Sequence, residues 1–262
     1  MELDFGVHHR SRLDNTRGLT RIARGWYATP DAAPQAVQAI QKGARLGCIS
    51  AVAPLGLWIP PNQVDTLHLA VATGDSMPDL PHACISRVPR RLKVPAVDPL
   101  EALAEILKNH DTETALILLE SAVNKEVITA EQAWSLIGSQ TMSLQRQLRH
   151  FTPGAQSGSE TRVRLFLQQR GVNVSIQPFV RGVGKVDILV GNSLIIECDS
   201  LSHHTLDREY HEDRARDLES NVQGYTIQRL SYRQIWYQWV DTQFRLAKLL
   251  KRRVHRRIPK GF

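Results

Sequence analysis

The segment KVDILVGNSLIIECD, residues 185–199, contains two short apolar runs, 185–190 and 194–199, separated by Gly-Asn-Ser. A three-residue connection that contains glycine predicts an antiparallel hairpin between the two runs. In the register that this connection allows, Asp187 pairs with Glu197 across the strands. The hairpin therefore predicts where two carboxylates meet.

A third carboxylate is expected on the same face of this hairpin. Strand alternation places Asp199 on the face that carries Glu197, next to Asp187. Like charges that lie opposite one another on a strand pair repel, so this grouping favours a divalent cation between the side chains. The alternative is that the acids lie at a solvated sheet edge or pair with the many nearby arginines.

Polar residues before and after the hairpin extend the pattern. Glu160 opens a predicted helix, and His203 and His204 follow the hairpin closely. A polar segment, 207–219, is typical of a helix that ends near Gly224 and leads into a further strand. The predicted order is helix, strand, strand, helix, strand.

This order and these residues resemble the very-short-patch-repair-like endonuclease domain family within the PD-(D/E)XK nuclease superfamily. The motifs that carry the resemblance are Ser159-Glu160, Val186-Asp187, Ile196-Glu197-Cys198-Asp199, His203-His204, Asp213-Arg214-x-Arg216-Asp217 and Gly224-Tyr225-x-x-x-Arg229-Leu230. The family's third-strand run usually reads Glu-x-Asp-Gly, and Ser200 stands here in place of the glycine. The resemblance covers residues 157 to 250. It implies an α/β fold in which residues 157–262 form a restriction-endonuclease-like domain, with a mixed central sheet flanked by helices.

The resemblance also implies metal-assisted hydrolysis of phosphodiester bonds in DNA. Asp187 and Glu197 would hold Mg²⁺ or Mn²⁺ through hard oxygen ligands. Most of the superfamily has a lysine at the position of Asp199. We therefore expect the lysine's role to pass to His203 or His204, because an imidazole exchanges a proton near neutral pH.

Structural interpretations compete for the supporting residues. Glu160 is expected to act as a water-mediated ligand or to orient the metal shell, but it could simply favour the N-terminal helix dipole. A His-His pair in a loop is more often solvated or structural than catalytic. Arg216 is a candidate phosphate contact, yet its helical spacing to Asp213 also suits surface ion pairing.

The chain is basic, with 33 Lys and Arg residues against 26 Asp and Glu residues and a formal net charge of +7. This balance favours a polyanionic partner such as DNA. From Arg245 onward the chain carries bases without acids, along and beyond a predicted helix, 239–253, whose Phe244 and Leu246 are expected to face the core. The candidate DNA contacts there are Lys251, Arg252, Arg253, Arg256 and Arg257. A solvated helix face and tail is the alternative.

The N-terminal half follows a different pattern. Residues 19–28 are typical of a basic hairpin, with Arg21 and Arg24 as candidate DNA contacts. This hairpin resembles the wing of the winged-helix domain of AbiEi-type antitoxins. The resemblance to that domain extends over residues 5 to 138. Only 18 residues precede it, so we expect a truncated DNA-reading unit with residues 8–12 as the remnant of its recognition helix. The resemblance implies an α+β domain over residues 1–150.

Hydrophobic periodicity predicts the other elements of this half. Helices are expected at 33–46, 48–58, 99–109, 112–126, 130–137 and 140–149, strands at 66–72 and 83–88, and a linker at 151–158. With 42% hydrophobic residues, the chain can build a core in each half.

Three cysteines, Cys48, Cys84 and Cys198, share no CxxC spacing. Their odd number and apolar surroundings favour reduced, buried thiols over a disulfide framework or a zinc site. The N-terminus lacks the pattern of a signal peptide, and no apolar run is long enough to span a membrane. We therefore expect a cytoplasmic protein without membrane contact.

Two hypotheses about function follow. The first is a metal-dependent DNA endonuclease in repair, restriction, defence or a mobile element, acting on duplex DNA that is intact, mismatched, nicked or branched. The second is a non-catalytic DNA-binding regulator, such as an antitoxin-like repressor, that keeps a degenerate nuclease fold. A toxin or a second copy of the chain is a further candidate partner.

Overall fold

The computed structural model describes residues 5–9, 18–81, 84–89, 92–199, 218 and 220–259. The chain divides into two units, Met1–Arg149 and His150–Phe262. Each unit combines helices with a mixed sheet, so the predicted α/β class is confirmed. Within the described part of the chain, none of the helices is long and apolar enough to cross a membrane.

An antiparallel sheet of three strands opens the first unit. It consists of β1 (Val7–His9), β2 (Thr20–Ala23) and β3 (Trp26–Ala28) in the order β1-β3-β2. The basic hairpin predicted at 19–28 is thus confirmed. The recognition-helix remnant is wrong for His8 and His9, which lie in β1 because Val7 is buried and pairs with Ala28. Residues 10–12 of that prediction lie outside the described residues.

The remaining elements of the first unit build a second sheet and a helical layer. They are α1 (Pro34–Gln41), β4 (Arg45–Leu46), α2 (Cys48–Val52), β5 (His68–Ala72), β6 (Cys84–Val88), α3 (Pro99–Asn109), α4 (Thr112–Asn124), α5 (Ala130–Gly138) and α6 (Met142–Gln147), with 3-10 helices at Ala53–Leu55, Pro61–Gln63 and Leu148–His150. Strand β5 pairs antiparallel with β4 and parallel with β6. The strands predicted at 66–72 and 83–88 are confirmed within a residue or two.

The helices predicted at 33–46 and 48–58 are about half as long as expected, and the one predicted at 140–149 covers only Met142–Gln147. Helix α1 ends at Gln41, and Gly43 follows with a φ of +77°, a conformation that favours glycine and stops a helix. The chain then forms β4 instead of a fourth helical turn. Helix α2 ends at Val52, because Pro54 and Gly56 (φ +71°) turn the chain out of the helix. Apolar periodicity alone did not show these ends.

Helices α3, α4 and α5 begin where the sequence predicts, because each has a side-chain cap. Asp98 accepts a hydrogen bond from the Leu100 amide, and Asp111 accepts one from Thr114. Thr129 and the third helical residue form a reciprocal capping box at the start of α5. Such caps satisfy amide groups that the first helical turn leaves unpaired.

The second unit is built on a four-stranded sheet. Its elements are α7 (Gly158–Gln168), β7 (Val174–Ile176), β8 (Phe179–Val180), β9 (Gly184–Lys185), β10 (Ile188–Val190), β11 (Leu194–Asp199), β12 (Thr226–Ser231), α8 (Tyr232–Trp236) and α9 (Trp239–Lys251), with a 3-10 helix at Val254–Arg256. The strand order is β12-β11-β10-β7, in which β11 and β12 are parallel and the other pairs antiparallel. Residues 220–223 are helical and end at Gly224, whose φ of +91° confirms the predicted helix stop.

The hairpin register is confirmed, but its first strand is interrupted. Val190 pairs with Leu194 and Ile188 with Ile196, so Asp187 lies opposite Glu197. The expected strand 185–190 breaks at residues 186 and 187, which hydrogen-bond to residues 177 and 178 instead. Asp187 therefore lies in a bend just before β10.

Helices cover one face of this sheet. Ile188 and Ile196 are fully buried there and belong to one cluster with Phe166 of α7 and Leu246 of α9. The prediction for Phe244 is wrong, because this residue is 62% exposed, with the Lys248 ammonium 4.3 Å from its ring centroid. The two residues differ because only Leu246 lies on the side of α9 that faces the sheet.

The segment predicted as a linker packs on the second unit. Phe151 and Ala155 are both buried. The guanidinium of Arg164, itself buried in α7, donates a hydrogen bond of 2.6 Å to the carbonyl of His150. The segment is thus irregular in backbone but fixed by apolar burial and one charged hydrogen bond.

Substituting Gly191 should test how closely the hairpin turn packs. Gly191 has a φ of +58°, and a Cβ there would collide with the carbonyl oxygen of His255. Gly171 has a similar φ of +69° with no atom near its virtual Cβ. Gly171→Ala should lower the free energy of unfolding by about 1–2 kcal/mol through its backbone conformation. Gly191→Ala should cost about 1–3 kcal/mol more from overpacking, measured by urea unfolding. Equal losses would contradict the close approach.

Candidate active site

Two of the predicted acidic residues, Glu160 and Asp187, meet at the side chain of Gln177. Its amide nitrogen donates to Glu160 Oε2 at 2.9 Å and to Asp187 Oδ1 at 3.2 Å. Gln177 follows β7 in a left-handed conformation, with a φ of +49°. Its backbone amide also donates to the Asp187 carbonyl at 2.8 Å. Gln177 therefore joins the helix that carries Glu160 to the hairpin that carries Asp187.

Backbone amides at or next to each of Asp187 and Glu197 donate a hydrogen bond to the carboxylate of the other. The Asp187 amide donates to Glu197 Oε2 at 3.3 Å. In return, Asp187 Oδ2 accepts a hydrogen bond of 2.8 Å from the amide of Cys198, which follows Glu197 in β11. The bend at Asp187 permits this exchange, since a regular strand would pair its backbone in the ladder. The two carboxylates are thus fixed side by side at one end of the hairpin.

Glu160 takes part both in the N-terminal cap of α7 and, through Gln177, in the acidic site. It is the third residue of α7, and Ser157 caps the helix by accepting a hydrogen bond from the Glu160 amide. The Glu160 carboxylate accepts further hydrogen bonds from the Gln156 amide and the Ser157 hydroxyl. Burial raises the pKa of this carboxyl group, and the charge of Asp187 raises it further. The helix-terminus interpretation is therefore part of its role, and Gln177 provides the link to Asp187.

Four acidic residues surround the thiol of Cys198. Cys198 lies among the acids, and burial raises the pKa of its thiol well above the ordinary value. The charges of Asp187, Glu160, Glu197 and Asp199, in that order, add to the shift. Burial is the larger cause of this shift, and the acids that add to it would stabilise a cation beside them.

The structure describes Asp199 but not the two predicted histidines. Asp199 ends β11 two residues after Glu197, so strand alternation places both side chains on one face. His203, His204 and Arg216 lie outside the described residues, and their roles stay predictions. The structure thus brings Glu160, Asp187 and Glu197 together, with Asp199 at the end of the same strand.

The acidic donors suit a hard cation that keeps water ligands. Glu160, Asp187 and Glu197 do not form a compact set of three ligands among the described residues, since the Gln177 amide lies between the first two. Asp187 and Glu197 offer carboxylate oxygens from adjacent strands. Mg²⁺ is commonly bound by one or two carboxylates with waters completing its octahedron, so this pair fits it.

The basic candidates that the structure describes lie on the surface. Arg21 is on β2 and Arg24 is in the turn between β2 and β3, and both are exposed. The C-terminal set is also exposed, at the end of α9 and in the turn that follows: Lys251, Arg252, Arg253, Arg256 and Arg257. Exposed bases of this kind can contact phosphates.

Sequence spacing missed Gln177 and a cysteine–histidine cluster in the first unit. Cys48 and Cys84 lie together with His68 and His110, although no short spacing links them. All three cysteines are free thiols, as predicted, but only Cys48 is buried, and Cys84 and Cys198 are half-buried. The prediction against a zinc-type arrangement is wrong, because two of the cysteines lie together with two histidines. A hydrogen bond from Cys48 lowers the pKa of the Cys84 thiol, and hydrogen bonds from the two histidines lower it further.

Binding of Mn²⁺ should release a proton from Glu160. Burial raises the pKa of this carboxyl group, whereas a nearby cation favours its ionised form. Mn²⁺ affinity should therefore fall as the pH is lowered through the raised pKa of Glu160, because the proton and the cation then compete. Calorimetry in buffers of different ionisation enthalpy would measure the release. Identical release by Glu160→Gln would contradict the assignment.

Neither family models nor curated proteins give a match to this chain.

Proposed function

We propose that the chain is a metal-dependent endonuclease that hydrolyses phosphodiester bonds in DNA. The observation that supports this most is the fixed pair Asp187 and Glu197 beside the buried Glu160. A cation between these carboxylates would be stabilised, because burial and mutual repulsion both disfavour their ionised forms in its absence. The site resembles that of the PD-(D/E)XK nucleases in the order of its elements.

Asp187 and Glu197 would hold Mg²⁺ or Mn²⁺. When bound there, the ion would lower the pKa of a coordinated water and neutralise charge that builds on the phosphate. Gln177 would keep the Asp187 carboxylate oriented while Glu160 holds Gln177 from the helix side. Glu160 would thus act through Gln177, as a positioning residue.

The other residues would move protons and hold the nucleic acid. Asp199 stands where the superfamily has lysine, so His203 or His204 would exchange the proton of the attacking water. The exposed bases on the β2–β3 hairpin and after α9 would contact phosphates without reading sequence. Both the DNA substrate and a cytoplasmic location belong to this proposal.

A non-catalytic DNA-binding regulator is the second candidate. The hydrogen bonds from Gln177 and from the Cys198 amide favour it, because they stabilise the Asp187 carboxylate without a metal. In that case the acids would serve the fold alone. A toxin or a second copy of the chain would then be the protein partner.

Cleavage of different DNA forms would test the proposal. Purified protein would be incubated with intact, mismatched, nicked and branched duplexes in Mg²⁺, in Mn²⁺ and in EDTA. We expect cleavage of at least one form in the metal buffers and none in EDTA. Binding of all forms without cleavage in any buffer would favour the regulator instead.

A further inference from the structure

Four side chains with nitrogen or sulfur donors converge in the first unit. Cys48, His68, Cys84 and His110 each offer one ligand atom, and these atoms all lie within 4.8 Å of one another. Cys48 Sγ lies 3.0 Å from His110 Nε2, and His68 Nδ1 lies 3.0 Å from Cys84 Sγ. Cys48 and His68 are fully buried, while the other two are half-buried.

The fold delivers one ligand from each of four elements. Cys48 begins α2, His68 begins β5, Cys84 begins β6, and His110 follows the last residue of α3. His68 and Cys84 are direct partners in the parallel pair, so their side chains share a face. Elements that are distant in sequence therefore meet at a single point.

Contacts around the cluster fix the position of Cys48. The Cys48 amide donates to Glu105 Oε2 at 3.1 Å, which joins the start of α2 to α3 one turn before His110. Cys48 itself has a φ of +47°, a conformation that costs a residue with a side chain about 1–2 kcal/mol. Strained residues of this kind are commonly retained where they position a ligand.

A hydrogen-bond chain sets the tautomer of His68. The Thr66 hydroxyl donates its only proton to the Gln63 carbonyl at 2.8 Å. The same hydroxyl lies 3.0 Å from His68 Nε2, so it can only accept there, and Nε2 must carry the proton. In the neutral imidazole, the lone pair of Nδ1 therefore points to the cluster. Ligating histidines are typically held through their other ring nitrogen in this way.

The size and chemistry of the cluster match a tetrahedral zinc site. Zn–S distances of about 2.3 Å and Zn–N distances of about 2.0–2.1 Å require about 3.3–3.8 Å between ligand atoms. The observed separations bracket that range. Two thiolates would balance the charge of a divalent ion in this buried place, and soft sulfur donors select zinc over magnesium.

We propose that Cys48, His68, Cys84 and His110 bind one Zn²⁺ ion in a tetrahedral structural site. Four protein ligands leave no open position for water, which distinguishes a structural site from a catalytic one. The ion would cross-link α2, β5, β6 and the end of α3. This site is separate from the carboxylates that hold Mg²⁺ or Mn²⁺ in the proposed nuclease and does not depend on that function.

Metal analysis of the full-length protein tests this proposal. Protein purified under reducing conditions and without chelator should contain one equivalent of zinc by mass spectrometry. Cys84→Ser and His110→Gln alter the half-buried ligands and should each lose it. Cys198→Ser removes the third thiol, in the second unit, and should keep it. Replacing zinc with Co²⁺ should give thiolate charge-transfer absorption in the wild type and in Cys198→Ser only.

A second variant pair separates a metal ligand set from ordinary packing. Thr66→Val removes the acceptor for His68 Nε2 and should weaken zinc affinity about 10–100-fold, whereas Thr66→Ser should restore it. Circular dichroism would show whether each ligand variant is folded. In the comparison of zinc content, Thr66→Val would take the place of any ligand variant that is unfolded. Wild-type protein that takes up neither Zn²⁺ nor Co²⁺, or variants that bind both as the wild type does, would overturn the proposal. So would a Cys48–Cys84 disulfide that persists in reducing buffer.

Discussion

Asp187→Asn and Glu197→Gln are each expected to abolish measurable Mn²⁺ binding at the carboxylate site and to slow DNA cleavage by about three orders of magnitude. Both substitutions keep the shape of the side chain and remove its charge. A neutral amide is a poorer ligand for a hard cation, and it cannot balance the charge of the bound ion. DNA affinity in EDTA should stay close to that of the wild type, because neither residue belongs to the basic surfaces.

The control for this prediction is Asp241→Asn, which neutralises an exposed acid in the first turn of α9 of the same unit. It should leave Mn²⁺ affinity and cleavage unchanged. Thermal unfolding in EDTA would check that each variant is folded. If Asp187→Asn and Glu197→Gln both bound Mn²⁺ as the wild type does, the pair would have no metal role.

Neutralising the basic C-terminal set should weaken DNA binding without regard to sequence. The five residues to be replaced by Gln are Lys251, Arg252, Arg253, Arg256 and Arg257, all of them exposed. Each phosphate contact contributes roughly 0.9 to the slope of log affinity against log salt, so the loss of five contacts should flatten the slope by up to about 4.5. Fluorescence anisotropy over a salt series would measure it. Cleavage at saturating protein should be largely retained.

The matched comparison replaces Arg21 and Arg24, the exposed bases of the β2–β3 hairpin. An unchanged slope in the C-terminal variant, with a flatter slope in Arg21→Gln/Arg24→Gln, would place the DNA on the first unit. A variant of the C-terminal set that binds DNA normally but no longer cleaves it would contradict the separation of binding from chemistry.

Local patterns predicted the parts of the fold that depend on neighbouring residues. The turn Gly-Asn-Ser sets the hairpin register, so the meeting of Asp187 and Glu197 followed from counting residues. Helices with a side-chain cap, such as α3 after Asp98, began at the predicted residue. Gly224 ended its helix for the same kind of local reason.

Features that depend on distant residues were not predicted. Gln177 reaches Glu160 across 17 positions, and its own neighbours in sequence give no sign of an acidic site. The partners Cys48 and His110 are 62 positions apart, so no spacing rule for zinc motifs could find them. The burial of Leu246 and the exposure of Phe244 depend on which side of α9 the sheet covers. Tertiary packing decides all three.

The metal dependence of DNA cleavage is the most direct test of the nuclease site proposed at Asp187 and Glu197. Single-turnover cleavage of the duplex form that binds most tightly would be followed in Mg²⁺ and in EDTA, for the wild type and for Asp187→Asn. We expect the wild type to cleave in Mg²⁺ only, and Asp187→Asn to bind the same DNA without cleaving it. Cleavage by Asp187→Asn at the wild-type rate, or tight binding without cleavage by the wild type, would contradict a nuclease centred on Asp187 and Glu197.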